Sequence, residues 1–329
     1  MLYNTLCDKF SDNMILVFSS LLAFGVTFVL LAKPFAFLPR DGGKFVIDAD
    51  GHKKSINENS NGKVTGAGLV FVIIYLLTSL LFLRVSLEMT IYAILSTVMM
   101  ITGFLDDASG TPWGELVKGI LDLVLSIITV VVFLIFNSSE ITFLGESISI
   151  PVVVYAILGI ALIWGSINVT NCSDGVDGLC GTVTVIELFA LVAMFGDNLG
   201  QYSGMCVILA FVLVAYLAYN WYPSTVLMGD AGSRTIGFTL ALMCMKSGHP
   251  FVFLLLSFVF LFDGGLGLLK LAIMRSFKKP FLSKITFPFH DELRKKRGMR
   301  IPLVVLFFSV WEVIMFVITE VIIYLTGKS

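Results

Sequence analysis

The stretch ILDLVLSIITVVVFLI, residues 120–135, decides the fold because it is almost continuously apolar. A helix needs roughly 20 apolar residues to cross the hydrocarbon core of a bilayer, whereas a transmembrane β-strand shows alternating polar and apolar residues over about ten positions. This run does not alternate, and similar runs recur along the whole chain. The sequence therefore predicts an all-α integral membrane protein.

The composition excludes other classes of protein. Of the 329 residues, 57% are hydrophobic and only 14% are charged, whereas a soluble domain has about 25% charged residues. Disorder is excluded as well, because disordered chains have low hydrophobicity. The net charge of −1 does not indicate a nucleic-acid partner, and the five cysteines contain no CxxC pair that would favour a zinc site.

We predict about ten transmembrane helices in a single polytopic domain, residues 1–329. The candidate spans lie near residues 14–37, 66–83, 87–104, 115–136, 149–167, 178–195, 203–221, 232–246, 250–273 and 301–326. The second and third spans are separated only by Arg84-Val85-Ser86, which predicts a tight helical hairpin. An even number of spans places both termini on the same side of the membrane.

The basic residues indicate which side is which. Fifteen of the 22 lysines and arginines lie in or beside the loops after spans 1 and 9, and only four lie on the opposite side. Because cytoplasmic loops carry an excess of Lys and Arg, both termini are expected to be extracytoplasmic. The expected cytoplasmic loops lie near residues 38–65, 104–114, 168–177, 222–231 and 275–300, and all five carry polar groups to one face.

The loop after span 3 carries the motif GFLDD, residues 103–107. Adjacent carboxylates at the end of an apolar helix are costly unless they are paired or bind a metal, and Mg²⁺ prefers such oxygen ligands. Asp106 and Asp107 are therefore candidate catalytic or metal-supporting residues, although a solvated helix end is an equal alternative. Lys118 lies one turn into span 4 and could neutralise these carboxylates or a diphosphate, unless it is a plain interfacial anchor.

The loop after span 5 reads NVTNCSDGVDGL, residues 168–179. Its amides and carboxylates could bind a base or ribose and hold a metal, whereas the alternative is a structural turn. The candidate residues in this motif are Asn168, Asn171, Asp174 and Asp177.

Two further polar motifs follow spans 7 and 9. Asn220 precedes MGDAGSR, residues 228–234, in which Asp230 begins a helix as a phosphate-attracting terminus or as a simple N-cap. His290 in FPFHDE, residues 287–292, is a candidate donor to a phosphate or base, or else a solvated loop histidine. Ionisable residues inside the spans are also functional candidates: Asp122, Glu187, Asp263, Glu312 and Glu320. Asp263 precedes Gly264-Gly265, which indicates a break or groove in span 9.

These motifs together suggest a cytoplasmic, Mg²⁺-assisted site that transfers a phosphoryl group from a soluble substrate to a lipid. A secondary transporter is the alternative from another class, but it predicts polar sites at mid-depth and paired halves, which the chain lacks. A purely structural membrane protein would not need five polar loops on one face.

The chain resembles the polyprenyl-phosphate N-acetylhexosamine-1-phosphate transferase superfamily and, within it, the phospho-N-acetylmuramoyl-pentapeptide transferases. The matching stretches are GKVTGAGL (62–69), GFLDD (103–107), NVTNCSDGVDGL (168–179), YNWYPSTVLMGDAGS (219–233), DGGLGLLK (263–270) and FPFHDE (287–292). One departure is clear, since the family's three consecutive histidines read His290-Asp291-Glu292 here. A GlcNAc-1-phosphate transferase for another envelope polymer remains the alternative within the superfamily.

The resemblance implies ten transmembrane helices and the transfer of phospho-MurNAc-pentapeptide from UDP-MurNAc-pentapeptide to undecaprenyl phosphate, with Mg²⁺ as cofactor. The products would be lipid I and UMP, in peptidoglycan synthesis at the cytoplasmic face of the bacterial cell membrane. It leaves the oligomeric state open, a homodimer included. The implied catalytic residues are Asp106, Asp107, Lys118, Asp230 and His290. The implied substrate-binding residues are Lys63, Asn168, Asn171, Asp174, Asp177 and Asn220, and the implied metal ligands are Asp230 and Asn171.

Overall fold

The computed structural model describes residues 2–33, 35–41, 45–47, 53–55, 62–109, 113–143, 145–278, 282 and 284–326. Parts of the predicted loops 38–65, 104–114 and 275–300 lie outside these ranges. The long helices are α2 (Asp12–Ala32), α3 (Ala67–Phe82), α4 (Leu87–Asp107), α5 (Glu115–Phe136), α6 (Val152–Ser173), α7 (Leu179–Leu199), α8 (Gln201–Asn220), α9 (Gly229–Lys246) and α14 (Ile301–Leu325). The shorter ones are α1 (Leu2–Leu6), α10 (Phe253–Leu256), α11 (Phe258–Phe260), α12 (Leu266–Phe277) and α13 (Phe289–Asp291).

The helices confirm a multi-pass, mostly helical membrane protein. Seven of the helices in the described part of the chain are long and apolar enough to cross a bilayer, and an eighth span results if the bent segment 250–277 is counted as one. Each of the ten predicted spans coincides with helical structure, but α3 is short and α9 is comparatively polar. The count of ten and the placement of the termini therefore stay predictions.

Helix α9 explains why a span can be polar. It is buried continuously from Ala231 to Met245, and it packs against α3, α4 and α6. These neighbours shield α9 from lipid, so its sequence does not need the apolar outer face of α2 or α14. Only 33% of the most apolar 18-residue stretch of α2 or of α14 is buried. The polar first turn of α9 is thereby held between these three helices, at one end of the bundle.

The α3–α4 hairpin is confirmed, since α3 ends at Phe82 and α4 begins at Leu87. The Ser86 hydroxyl caps α4 by accepting a hydrogen bond from the Met89 backbone N–H at 3.1 Å. The all-α prediction is incomplete, because two short antiparallel hairpins are present: β1 (Phe45–Ile47) with β2 (Lys53–Ser55), and β3 (Glu140–Phe143) with β4 (Glu146–Ser149). Strands of three or four residues pair the backbone groups of a loop locally. They are too short to show the alternation over about ten residues by which a transmembrane strand is predicted.

Two predicted boundaries differ from the structure. Helix α6 continues to Ser173, so Asn168 and Asn171 lie in its last turns and not in a loop. Span 9 is bent by 65° between Pro250–Leu256 and Phe258–Phe277. The break predicted beside Gly264-Gly265 therefore lies at Ser257, and Asp263 itself lies in a π-helical turn, Leu261–Gly265.

Candidate active site

Lys118 joins two carboxylates at the end of the bundle where α4 ends and α9 begins. Its ammonium nitrogen Nζ donates to Asp230 Oδ2 at 2.8 Å and also forms an ion pair with Asp106. The other oxygen of Asp106 accepts a hydrogen bond from the Trp113 backbone N–H at 2.6 Å. The structure thus brings together three of the predicted catalytic residues.

Asp107 turns toward the start of α9. Its carboxylate oxygens accept hydrogen bonds from the backbone N–H groups of Asp230, at 3.1 Å, and of Ala231, at 3.3 Å. These are the donors that a helix N-terminus leaves without intrahelical partners, so Asp107 caps α9 from a neighbouring helix. The alternative reading of Asp230 as a plain N-cap does not match this arrangement.

Glycines permit this close approach of the helices. A Cβ added at Gly103 would lie 2.5 Å from the Asp230 carbonyl carbon, and one at Gly229 would lie 2.2 Å from Asp107 Oδ2. Gly229 also has φ of +66°, a conformation that residues with side chains rarely adopt. The glycines of GFLDD and MGDAGS therefore set the distance between α4 and α9.

Asn171 adds the contribution of α6. Its amide Nδ2 donates to Asp230 Oδ1 at 2.9 Å and to Ser233 Oγ at 3.0 Å. Since α6 remains helical to Ser173, the Asn171 side chain is carried on a rigid element. Ser233 is part of the MGDAGS motif but is not among the predicted site residues, and its hydroxyl oxygen orients this amide.

The acids of the site differ in their protonation. Burial opposes ionisation of Asp230, but Lys118 and the Asn171 amide outweigh it and lower its pKa. Burial raises the pKa of Asp174 well above its ordinary value, and the negative charges of Asp230, Asp107 and Asp177 add to this. Asp230 is therefore held as a carboxylate, whereas Asp174 tends to keep its proton.

Asp177 and Lys63 pair with each other at the edge of the same region. Lys63 Nζ lies 3.0 Å from Asp177 Oδ2 and donates to Ser224 Oγ at 2.8 Å, and the Ser224 N–H donates to Asp177 at 3.0 Å. Buried Asn220 uses both ends of its amide, accepting from Gly178 N–H and donating to the Val226 carbonyl, each at 2.9 Å. These contacts hold three loops together beside the aspartates.

His290 approaches the Asn/Asp-rich motif from the other side. It is 2% exposed, and Asp263 Oδ1 accepts from its backbone N–H at 2.7 Å while Asp263 Oδ2 lies 2.8 Å from Nδ1. A Cβ at Gly175 would lie 2.5 Å from His290 Nε2, so the absence of a side chain there lets the imidazole reach this loop. The π-helical turn that carries Asp263 thus positions a catalytic candidate.

The two residues after His290 bind basic neighbours. Asp291 pairs with Arg294 and Lys295 at 2.8 and 2.7 Å. Glu292 pairs with Lys296 at 3.1 Å and accepts from the Thr286 backbone N–H at 2.8 Å. Where the resembling family has histidines, these acids order the basic segment.

The remaining candidates lie apart from the cluster. Asn168 donates back to the Trp164 carbonyl of its own helix at 2.8 Å. Glu187 lies about two turns into α7 and accepts a hydrogen bond from the Ser257 hydroxyl, and Glu312 is buried in α14. Glu320 is exposed near the end of α14. Asp122, in contrast, forms a buried ion pair with Arg234 close to the site, a partner that the sequence did not reveal.

The donor set suits a divalent cation. Asp106 and Asp230 pair with Lys118, and Asp107 lies against the backbone of Asp230, so the three carboxylates exceed the one base by two when all three are ionised. No group of three or more His, Cys, Asp or Glu side chains in the described ranges forms a preassembled metal cage. Mg²⁺ typically uses only one or two carboxylates and completes its shell with water and substrate phosphates.

An apolar groove of about 310 Å³ runs along the bundle between α6 and the bent segment. Its lining includes Tyr155, Leu158, Leu162, Phe253, Leu254 and Leu261. Leu261 belongs to the same π-helical turn as Asp263, so one end of the groove lies two residues along the chain from the partner of His290.

Comparison with known proteins identifies the family of the chain. The family model described as glycosyl transferase family 4 matches residues 89–248, which contain the five clustered residues Asp106, Asp107, Lys118, Asn171 and Asp230. The phospho-N-acetylmuramoyl-pentapeptide-transferase of Treponema pallidum (strain Nichols) is 34% identical over 294 residues, covering 83% of this chain and 79% of that protein. The protein of the same name from Petrotoga mobilis is 27% identical over 260 residues, covering 76% and 81%. The chain belongs to the phospho-N-acetylmuramoyl-pentapeptide-transferase family.

Proposed function

We propose that the protein transfers phospho-MurNAc-pentapeptide from UDP-MurNAc-pentapeptide to undecaprenyl phosphate, giving lipid I and UMP in peptidoglycan synthesis. The observation that carries this proposal is the cluster of Asp106, Asp107, Lys118, Asn171 and Asp230 at one end of a membrane bundle. The relatives' shared name supports the choice of substrates. The excess of basic residues in the adjoining loops supports a cytoplasmic location for the site.

In the proposed reaction an oxygen of the lipid phosphate attacks the sugar-linked phosphorus of the UDP-sugar. A new P–O bond forms, the bond to the bridging oxygen breaks, and its electron pair leaves with UMP. Phosphoryl transfer depends mainly on positioning and on neutralising charge. Lys118 is suited to this role, because its ammonium group lies between Asp106 and Asp230 and can donate to a phosphate oxygen placed beside them.

Direct attack fits the hydrogen bonds of the aspartates. Asp107 is engaged by two backbone N–H groups of α9, and Asp106 is held by Lys118 and Trp113. A phosphate monoester has a second pKa of about 6, so the acceptor is largely ionised at neutral pH and needs no strong base. We therefore assign both aspartates to positioning and charge balance, and not to a covalent intermediate.

The donor and the acceptor would reach the cluster from different sides. Asp174, Asp177 and Lys63 line the loops where the nucleotide part would bind, and His290 would donate to a phosphate or to the base. The apolar groove beside α6 suits the isoprenoid chain of the acceptor, because its lining is mostly apolar and one end of it is formed by Leu261, two residues from Asp263. The lipid phosphate would then meet the aspartates at the end of the bundle.

We propose Asp230 as the principal ligand of Mg²⁺, with the amide oxygen of Asn171 as a second. The lowered pKa of Asp230 keeps its carboxylate ionised, as a metal ligand requires. When bound, Mg²⁺ would supply neutralisation of the diphosphate charge. The charge excess of the cluster supports this proposal.

The test measures UMP release by the purified protein in detergent with undecaprenyl phosphate as acceptor. We expect release with UDP-MurNAc-pentapeptide but not with UDP-GlcNAc, and loss of release when EDTA removes divalent cations. Asp197→Asn is the control for substitutions in the site, since Asp197 is an exposed residue near the far end of α7. Release with UDP-GlcNAc instead would assign the protein to the sister transferases, and release with neither donor would refute the proposal.

A further inference from the structure

Two charged residues that the proposed reaction does not use lie one helical turn deeper than Lys118 and Asp230. Arg234 Nε donates to Asp122 Oδ1 at 3.1 Å, and Nη2 donates to the same oxygen. Each residue is only 2% exposed. An isolated charge is costly at such a position, so the two residues depend on each other.

The two ion pairs form a ladder between α5 and α9. On α5 the base Lys118 precedes the acid Asp122 by four residues, and on α9 the acid Asp230 precedes the base Arg234 by four. Residues four apart share one face of a helix. The four charges therefore alternate in sign around a ring, in the order Lys118, Asp230, Arg234 and Asp122. The Lys118–Asp230 pair lies next to the Asp122–Arg234 pair.

The spacing of four residues on each helix allows a second pairing of the same four charges. The charges of Lys118 and Asp230 both act on Asp122, and the charge of Arg234 acts on Asp230. Lys118 could pair along its own helix with Asp122, and Arg234 could pair along its own helix with Asp230. In that arrangement Lys118 would be drawn from Asp106, and Asp230 would be covered by a guanidinium group.

We infer that Asp122 and Arg234 are positioning residues, which by pairing with each other keep Lys118 on the two aspartates and keep Arg234 away from Asp230. The inference rests on the proposed function for its effect on turnover. Its effect on cation binding rests on Asp230 as the proposed cation ligand.

The two single substitutions are expected to disturb the site in different ways. In Arg234→Met the buried Asp122 loses its partner and pairs with Lys118. As a result kcat falls by about tenfold with a smaller change in KM, and cation binding at Asp230 is not weakened. In Asp122→Asn the freed Arg234 turns to Asp230 and competes with the cation, so cation affinity falls by about tenfold. The double variant has neither competing charge and should return to within about threefold of the unsubstituted protein in both measures.

The experiment compares the unsubstituted protein with Arg234→Met, Asp122→Asn and the double variant. Mn²⁺ binding is measured by electron paramagnetic resonance without substrates, and the thermal midpoint, kcat and KM are measured alongside. Arg234→Lys, which keeps the charge, should preserve more activity than Arg234→Met and serves as the alternative if Arg234→Met does not fold.

Restoration of Mn²⁺ affinity and turnover in the double variant supports the inference. Effects of the single substitutions that simply add in the double variant, or Mn²⁺ binding by Asp122→Asn that equals that of the unsubstituted protein, would overturn it. Failure of the proposed function gives a different result, since UMP release would then be missing from the unsubstituted protein while the coupling in Mn²⁺ binding persists.

Discussion

The two ends of the α4–α9 pair carry the same types of residue but are organised differently. At the far end Lys246 Nζ lies 3.1 Å from both oxygens of Glu88 and 2.8 Å from Asn137 Oδ1. Glu88 also accepts from Asn137 Nδ2 at 2.7 Å and from the hydroxyls of Tyr92 and Tyr202 at 2.9 and 3.0 Å. One acid meets one base there, and their remaining hydrogen bonds come from neutral neighbours.

At the near end Lys118 pairs with Asp106 and Asp230, and a third carboxylate, Asp107, is held by the backbone N–H groups at the start of α9. No neighbouring described side chain balances the excess negative charge. Gly103 and Gly229 allow α4 and α9 to lie close together there. A balanced, fully bonded pair stabilises a fold, whereas an unbalanced cluster of the same residue types is suited to bind a cation and a charged substrate. Substitutions at the two ends should therefore separate activity from stability.

Asp230→Asn should have the largest effect of the substitutions at the near end. The amide keeps the shape of the side chain but removes the charge that Lys118 and the proposed Mg²⁺ require. UMP release should fall by about a thousandfold, at the upper end of the range for loss of one charge-stabilising group. The thermal midpoint should fall modestly, because the lowered pKa of Asp230 means that its ionised carboxylate stabilises the folded state at neutral pH. Near-normal turnover would remove Asp230 from the site, and Asp197→Asn is the matched control.

Lys118→Met should lower turnover by about a hundredfold. Methionine keeps most of the aliphatic length but cannot donate to a phosphate or balance the aspartates. The rate at saturating concentrations of both substrates, with Mg²⁺ raised in steps, is the measurement. Full recovery at high Mg²⁺ would mean that Lys118 only balances charge and does not contact the substrate.

The sequence predicted the near end well and the far end poorly. GFLDD, NVTNCSDGVDGL and MGDAGS are dense in polar residues between apolar spans, so their convergence could be predicted from span order and the positions of basic residues. The Glu88–Lys246 and Asp122–Arg234 pairs join single charges 158 and 112 positions apart. No local pattern marks such pairs, because the partner is selected by helix packing.

The fold was predictable to a similar extent. Apolar length alone identified α2, α5 and α14, which face lipid. It could not reveal the bend at Ser257 or the extension of α6 to Ser173, because both depend on tertiary contacts that satisfy the backbone. The position of Asn171 on a helix, which aims its amide at Asp230, is the consequence for the site.

Lys246→Met tests whether the far end contributes to stability and not to activity. It leaves buried Glu88 without its ionic partner, so the free energy of unfolding should fall by about 3 kcal/mol. The protein that remains folded should release UMP at the normal rate, because the pair lies at the opposite ends of α4 and α9 from Asp106 and Asp230. Denaturant unfolding and kcat per folded molecule are the measurements, with exposed Lys9→Met as the control. A loss of kcat that exceeds the loss of folded protein would show that the far end also positions the aspartates.

Asp174→Asn should have the smallest effect, and its sign depends on pH. The pKa of Asp174 in the folded protein is raised above its ordinary value of 3.8, so at higher pH the folded state keeps a proton that the unfolded chain releases. Folding then costs free energy that is absent at pH below the ordinary value and grows as pH rises toward the folded-state value. Asparagine removes this cost.

In EDTA the variant should therefore melt at a higher temperature than the unsubstituted protein at about pH 7, and the difference should close toward about pH 4. Asp197→Asn should show no such trend, and a difference that widens on acidification would contradict the assignment. Added Mg²⁺ should narrow the difference at neutral pH, since a cation among the aspartates favours the ionised form of Asp174.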